Sequence, residues 1–343
     1  MMRLPSYRYR APKTVADAAA WLAESPTDTM LLAGGTDLIP NMKRRQQVPS
    51  TVVGIRGVAE LSQVRDGEGI EIGAGVTLSA LTQDRRIHDR YPGLWQAAAQ
   101  IATPLLRNMG TIGGNLCLDT RCTYYDQSFE WRQSIHFCMK KDGETCWVAT
   151  SSDHCLAVSS TDSAPPLIAL GATVRLVSAS GTRDIAVSDL YANDGMYYLT
   201  RKADEILTTV TLPKSDGWRS TYWKLRRRGS FDFPVASVAA AARIEGNRII
   251  ESRIVLGAVA SRPLEVPAAS ARLAGQTLTD DLIASVADDA YALAKPMDNT
   301  DFELVWRKKT VRSLVTSALR ELRGDDMREA RTKLARHPLI VVS

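Results

Sequence analysis

The stretch from Met109 to Cys155 constrains this chain most, because all five cysteines of its 343 residues fall inside it. It opens Met109-Gly110-Thr111-Ile112-Gly113-Gly114-Asn115-Leu116-Cys117 and goes on to Cys122, Cys138, Cys146 and Cys155. From Leu118 the chain is polar and aromatic, without a helical or alternating apolar period, until Pro166-Leu167-Ile168-Ala169-Leu170, which reads as strand. About forty irregular residues inside a compact domain need something internal to hold them, and four cysteines can do so. A structural zinc site brings its ligands as two close Cys pairs, and here only Cys117 and Cys122 are close. The later gaps of 15, 7 and 8 residues suit an iron–sulfur cubane, whose thiolates bind separate iron corners. Cys117 follows the glycine turn directly and belongs to the ordered domain. Zinc remains the rival; His88, His136 and His337 have no ligand spacing, and Asp153 and His154 need not bind.

A second glycine turn lies upstream. Thr29-Met30-Leu31-Leu32-Ala33 is a short apolar run that ends in Gly34-Gly35-Thr36-Asp37-Leu38. Such a strand and turn let backbone N–H groups approach phosphate oxygens, and Lys43, Arg44 and Arg45 can add positive potential. Taken alone it reads as an ordinary strand turn, since it matches neither G-x-G-x-x-G nor a P-loop. Two such turns can grip one extended ligand, though spacing does not prove it.

The other signals bound the class. Length points to two or three domains, and 45% hydrophobic with 24% charged residues is a globular balance. No apolar run approaches the ~18 residues of a membrane helix. The N-terminus lacks a leader pattern, so the expectation is a cytoplasmic protein, where clustered cysteines bind metal more often than they pair. Residues 301–343 carry ten Lys/Arg against six Asp/Glu, +4 of the net +5. With no nucleic-acid motif or aromatic-laced basic patch, that reads as a solvated basic helix or a docking face for an acidic subunit.

Thr14 and Asp17 open a helix with a capping-box-like pair. Residues 51–55 and 69–75 read as strands, 78–86 as a helix capped by Thr77, and 93–102 as another helix. Short strands follow over 182–212. Residues 223–228, 235–240 and 253–258 then suggest three strands, followed by helices over 281–294 and 301–322. The last helix puts Val311, Leu314, Val315, Ala318, Leu319 and Leu322 on one face.

Leu32-Ala33-Gly34-Gly35-Thr36-Asp37-Leu38 together with Gly110-Thr111-Ile112-Gly113-Gly114-Asn115-Leu116-Cys117 resembles the FAD-binding medium subunits of the xanthine dehydrogenase and carbon monoxide dehydrogenase family of molybdenum hydroxylases. The resemblance takes in Thr161-Asp162-Ser163-Ala164-Pro165 and the Lys224 strand, and extends to Leu322. It implies an α+β fold: a two-lobed FAD domain of the vanillyl-alcohol-oxidase type over residues 1–215, a C-terminal three-stranded α+β domain over 216–323, and a tail or partner-bound arm at 324–343. It also implies FAD contacts. Leu31, Leu32, Ala33, Gly34, Gly35, Thr36, Asp37 and Leu38 would wrap the pyrophosphate. Ile101, Thr111, Gly114 and Asn115 would lie along the isoalloxazine and ribityl chain, with Asp162 at the adenosine end and Lys224 near the flavin ring. On their own, Asp162 reads as a turn former and Lys224 as a surface strand lysine.

The insert over 118–157 is similar to that of the 4-hydroxybenzoyl-CoA reductase β subunits, which carry an extra [4Fe–4S] cluster. The matching portion is Asp119-Thr120-Arg121-Cys122-Thr123-Tyr124-Tyr125, Trp131-Arg132, Cys138, Cys146 and Cys155. By that resemblance Cys122, Cys138, Cys146 and Cys155 are the ligands, and Cys117 is not. The implied partners are a small subunit with two [2Fe–2S] clusters, a large molybdopterin subunit and ferredoxin as donor. The implied role is electron inlet for reductive dehydroxylation of 4-hydroxybenzoyl-CoA to benzoyl-CoA, with no group here acting on the organic substrate. Two alternatives stay open: the FAD subunit of an oxidative molybdenum hydroxylase, and a flavoprotein with a zinc-stapled docking insert.

Overall fold

The computed structural model of the chain describes residues 3–300 and 302–335. Asp301, the expected start of the last long helix, and residues 336–343 of the expected tail, with His337, lie outside the described residues.

The first lobe is a parallel sheet of β1 (Arg8–Arg10), β2 (Thr29–Leu32) and β3 (Thr51–Gly54) in the order β1-β3-β2, with helices α1 (Val15–Glu24) and α2 (Leu38–Lys43). α1 starts as its sequence dictates, with the Thr14 side chain accepting from Asp17 N at 3.0 Å. It buries Ala18, Ala19 and Leu22 against Val53 and Val58.

The second lobe begins with β4 (Val64–Asp66) and β5 (Ile70–Gly73), followed by a helical run: α3 (Leu78–Gln83), α4 (Arg85–Arg90), α5 (Pro92–Gln100), α6 (Pro104–Arg107) and α7 (Ile112–Leu116). The helix expected over 78–86 is two helices, because Asp84 is extended and its carboxylate caps α4 by accepting from Arg86 N at 2.9 Å. The insert follows, with one helix the polar pattern hid, α8 (Phe129–Ser134). Then come α9 (Ala164–Ala169), β6 (Thr173–Ser178), β7 (Gly181–Ala186) and β8 (Ile206–Leu212), which complete an antiparallel sheet in the order β4-β5-β8-β6-β7. The strand expected at 166–170 is therefore helix: Pro165 and Pro166 suit a first helical turn, and burial on every side erased the period.

The C-terminal sheet has four strands rather than three. β9 (Trp218–Leu225), β10 (Ala236–Glu245) and β11 (Arg248–Gly257) gain a two-residue edge strand, β12 (Leu264–Glu265). α10 (Pro267–Leu273), α11 (Asp280–Leu293) and α12 (Leu304–Arg323) follow. Strand side chains alternate between faces, and both faces of this sheet are covered. Trp223, Val238, Ala240 and Leu256 join the core under α11 and α12, whereas Tyr222, Ala239, Ala241 and Val255 belong to the core of the second lobe. That shared face brings β9 to the ligand cavity. Beyond Gly324, the expected tail forms α13 (Arg328–Ala335), which docks through Arg331 on Glu321 and the Tyr222 carbonyl.

Candidate functional site

A cavity of about 760 Å3 runs between the two glycine turns, a volume within the range of cofactor sites. Every expected FAD-contact residue lines it except Lys224: Leu31 through Leu38, Ile101, Thr111, Gly114, Asn115 and Asp162. The turns are glycine because they touch. A Cβ on Gly34 would stand 1.8 Å from the carbonyl oxygen of Met109. Gly35 sits at φ +72°, a conformation that favours glycine. Among the described residues the backbone N–H groups of Gly34, Gly35, Thr36 and Asp37 donate to no other protein group. Four successive free donors beside a cavity suit an anion such as a pyrophosphate.

The opposite wall is pinned from within. Thr111 Oγ1 accepts from Gly114 N at 3.1 Å and caps α7. Asn115 Oδ1 accepts from Thr161 Oγ1 and Ser163 N, both at 3.0 Å, which fixes the loop that carries Asp162. The Asp37 carboxylate pairs with Arg121, an insert residue that reaches the same cavity and also lies 3.4 Å from Asp126. Of the basic run after the first turn, Arg44 lines the cavity, whereas Lys43 and Arg45 do not.

Asp162 and Lys224 do not mark two ends of a ligand, because they touch. Lys224 Nζ donates to Asp162 Oδ2 at 2.9 Å and Tyr222 OH donates to Oδ1 at 2.6 Å. Two residues apart on β9, Tyr222 and Lys224 share one face and close on one carboxylate. Nor is Lys224 a surface lysine: its side chain is 0% exposed. Burial pushes the carboxyl up and the ammonium down, and each charge holds the other against that effect.

Several cavity residues carried no sequence signal. Ala102 and Phe231 both have left-handed backbones, and Phe231 N donates to Ala102 O at 3.0 Å. Phe233 and Tyr198 also line the cavity, as do Asp119 and Cys117, which the sequence placed only within the insert and the glycine-turn motif.

The other four cysteines form a separate site. Cys122, Cys138, Cys146 and Cys155 are buried and line one small cavity with Tyr125 and Lys140. The insert is closed at its base by a reciprocal pair, Arg121 N to Val158 O at 2.8 Å and Val158 N to Arg121 O at 2.7 Å. All five cysteines are free thiols. Burial pushes the Cys122 thiol up to about 12 and Cys155 to about 11, and raises Cys138. Among the described residues no three His, Cys, Asp or Glu side chains converge as ligands of a single metal ion.

The chain's residues 5–215 match the family model described as "FAD binding domain in molybdopterin dehydrogenase", and residues 220–322 match "CO dehydrogenase flavoprotein C-terminal domain". It is 30% identical to the aldehyde oxidoreductase FAD-binding subunit PaoB of Escherichia coli, over 92% of this chain and 99% of that one. It is 28% identical to the carbon monoxide dehydrogenase medium chain of Hydrogenophaga pseudoflava, over 92% and 96%. A solved structure of carbon monoxide dehydrogenase from that organism superposes with a TM-score of 0.77 at 27% identity, covering 94% of this chain and 99% of that one. With its cavity and twin glycine turns, the chain belongs to the FAD-binding medium subunits of the xanthine and carbon monoxide dehydrogenase family of molybdenum hydroxylases.

Proposed function

We propose that this chain is the electron inlet of a molybdenum-enzyme complex, with a [4Fe–4S] cluster on Cys122, Cys138, Cys146 and Cys155 beside its FAD. The observation that carries the reading is the convergence of these four thiols on one cavity while Cys117 lines the other. A single zinc ion needs four donors at ~2.0–2.3 Å, whereas a cubane holds its thiolates apart on separate corners. That all four thiols line one buried cavity supports a group held by them jointly.

FAD, when bound, exchanges electrons singly or in pairs and so links one-electron to two-electron carriers. The chain's own residues do the rest. Gly34 through Asp37 offer N–H donors to the pyrophosphate, Thr111 and Asn115 hold the second turn rigid, and the Asp162–Lys224 pair holds β9 against the cavity. The partners in this reading are a small subunit with two [2Fe–2S] clusters and a large molybdopterin subunit, in the reducing cytoplasm. The names of the relatives as medium chains and FAD-binding subunits support an assembly of that kind. The reaction, inferred from the insert's resemblance, is reductive dehydroxylation of 4-hydroxybenzoyl-CoA to benzoyl-CoA with electrons from ferredoxin.

A second reading, the FAD subunit of an oxidative hydroxylase, is favoured by the relatives' names, which include a carbon monoxide dehydrogenase and a nicotine 6-hydroxylase. The donor decides between them. The purified complex is expected to form benzoyl-CoA with reduced ferredoxin and to be inert with NADH. NADH-driven turnover, or oxidation of an N-heterocycle with 4-hydroxybenzoyl-CoA untouched, contradicts the inlet reading.

A further inference from the structure

Between the cysteine cavity and the FAD cavity stands one buried ammonium. Lys140 is the one charged side chain among those lining the cysteine cavity, and its side chain is 5% exposed. All three of its protons are placed: Nζ lies 2.8 Å from Asp119 Oδ1, 2.7 Å from Thr120 Oγ1 and 2.7 Å from the Gly195 carbonyl. Its two flanks face different sites. It sits 4.8 Å from the ring centre of Tyr125, which lines the cysteine cavity, and 5.2 Å from that of Tyr198, which lines the FAD cavity. Asp119 also lines the FAD cavity, and the Tyr125 hydroxyl donates to its other oxygen at 2.9 Å. One layer of bonded side chains therefore joins the two sites. The buried cations Arg132 and Arg121 are turned elsewhere, to the Arg44 carbonyl and to Asp37, and neither lines the cysteine cavity.

We propose that Lys140 is a positioning cation whose fixed charge, aimed by Asp119 and Thr120, sets how readily the group on the four cysteines accepts an electron. This rests on the cluster reading above. A cubane held by four thiolates carries net negative charge, and reduction adds one more in a site that water cannot screen. A cation at that wall stabilises the reduced form and raises the potential. Asp119 works in the opposite sense, so the two side chains make opposite predictions.

The test is an anaerobic redox titration of the intact complex, with cluster reduction followed by electron paramagnetic resonance and iron measured on the same samples. Lys140→Met is expected to lower the ratio of reduced to oxidised cluster about tenfold at a fixed ambient potential, a downward shift of ~59 mV for one electron. Lys140→Arg should recover most of that loss, and Asp119→Asn should shift the potential upward. A purely structural lysine does not give opposite signs. An unmoved potential in iron-replete Lys140→Met overturns the inference and leaves the cluster reading standing. If that variant loses its iron, Asp119→Asn decides, and no upward shift overturns the inference. Wild-type protein without iron overturns both.

Discussion

At the scale of single residues, the site depends on charges and contacts that have no substitute. Asp162 neutralises Lys224 inside the protein and accepts from Tyr222. Asp162→Asn leaves the ammonium buried without a counter-charge, and is expected to cost about 3–5 kcal/mol. Denaturant unfolding checks this, and the double variant Asp162→Asn/Lys224→Met should recover part of the loss. Gly34 is the second such residue, because a methyl group there collides with the Met109 carbonyl. Gly34→Ala should separate the turns, costing about 3 kcal/mol, the upper range for overpacking, and should lower the flavin recovered per chain. Wild-type flavin content in a folded Gly34→Ala variant would falsify this account of the paired turns.

At the scale of elements, legibility followed periodicity. α1, α3, α5, α11 and α12 each have a cap or an apolar stripe, and each lies within a few residues of its expectation. α9 was misread because it is buried all round, and α8 because its segment is polar. Most expected cavity residues sit in the two glycine turns, whose local geometry the sequence encodes. Arg121, Asp119 and Tyr198 were not legible as cavity residues, since only tertiary folding of the insert and the loop after β7 brings them there. The thiols were legible from their confinement, and the insert supplies its own test. Replacing Cys122, Cys138, Cys146 or Cys155 singly by Ser is expected to lower bound iron sharply, whereas Cys117→Ala, in the other cavity, should leave it unchanged. Iron analysis of the five purified variants decides. Equal iron in all five, or a loss confined to Cys117, contradicts the ligand set.

At the scale of the molecule, the C-terminal sheet is less independent than its sequence suggested. One face belongs to the second lobe, and α13 adds a clasp across the junction. Arg331 pairs with Glu321 at 2.5 Å, reaches Gln96 of α5 at 3.1 Å and stacks 4.3 Å from the Trp223 ring centre. Arg331→Ala is expected to cost about 1–2 kcal/mol, read as a lower melting temperature, and no change would mean that the clasp contributes nothing. The described residues then enclose two neighbouring cavities, one between the glycine turns and one lined by four thiols, joined through Lys140 and Asp119. The measurement that tests this most directly is iron, acid-labile sulfide and zinc per flavin on anaerobically purified protein. The account predicts about four irons and four sulfides in this chain and no zinc. Zinc without labile sulfide would contradict it, leaving an FAD subunit whose insert is a metal-stapled docking module.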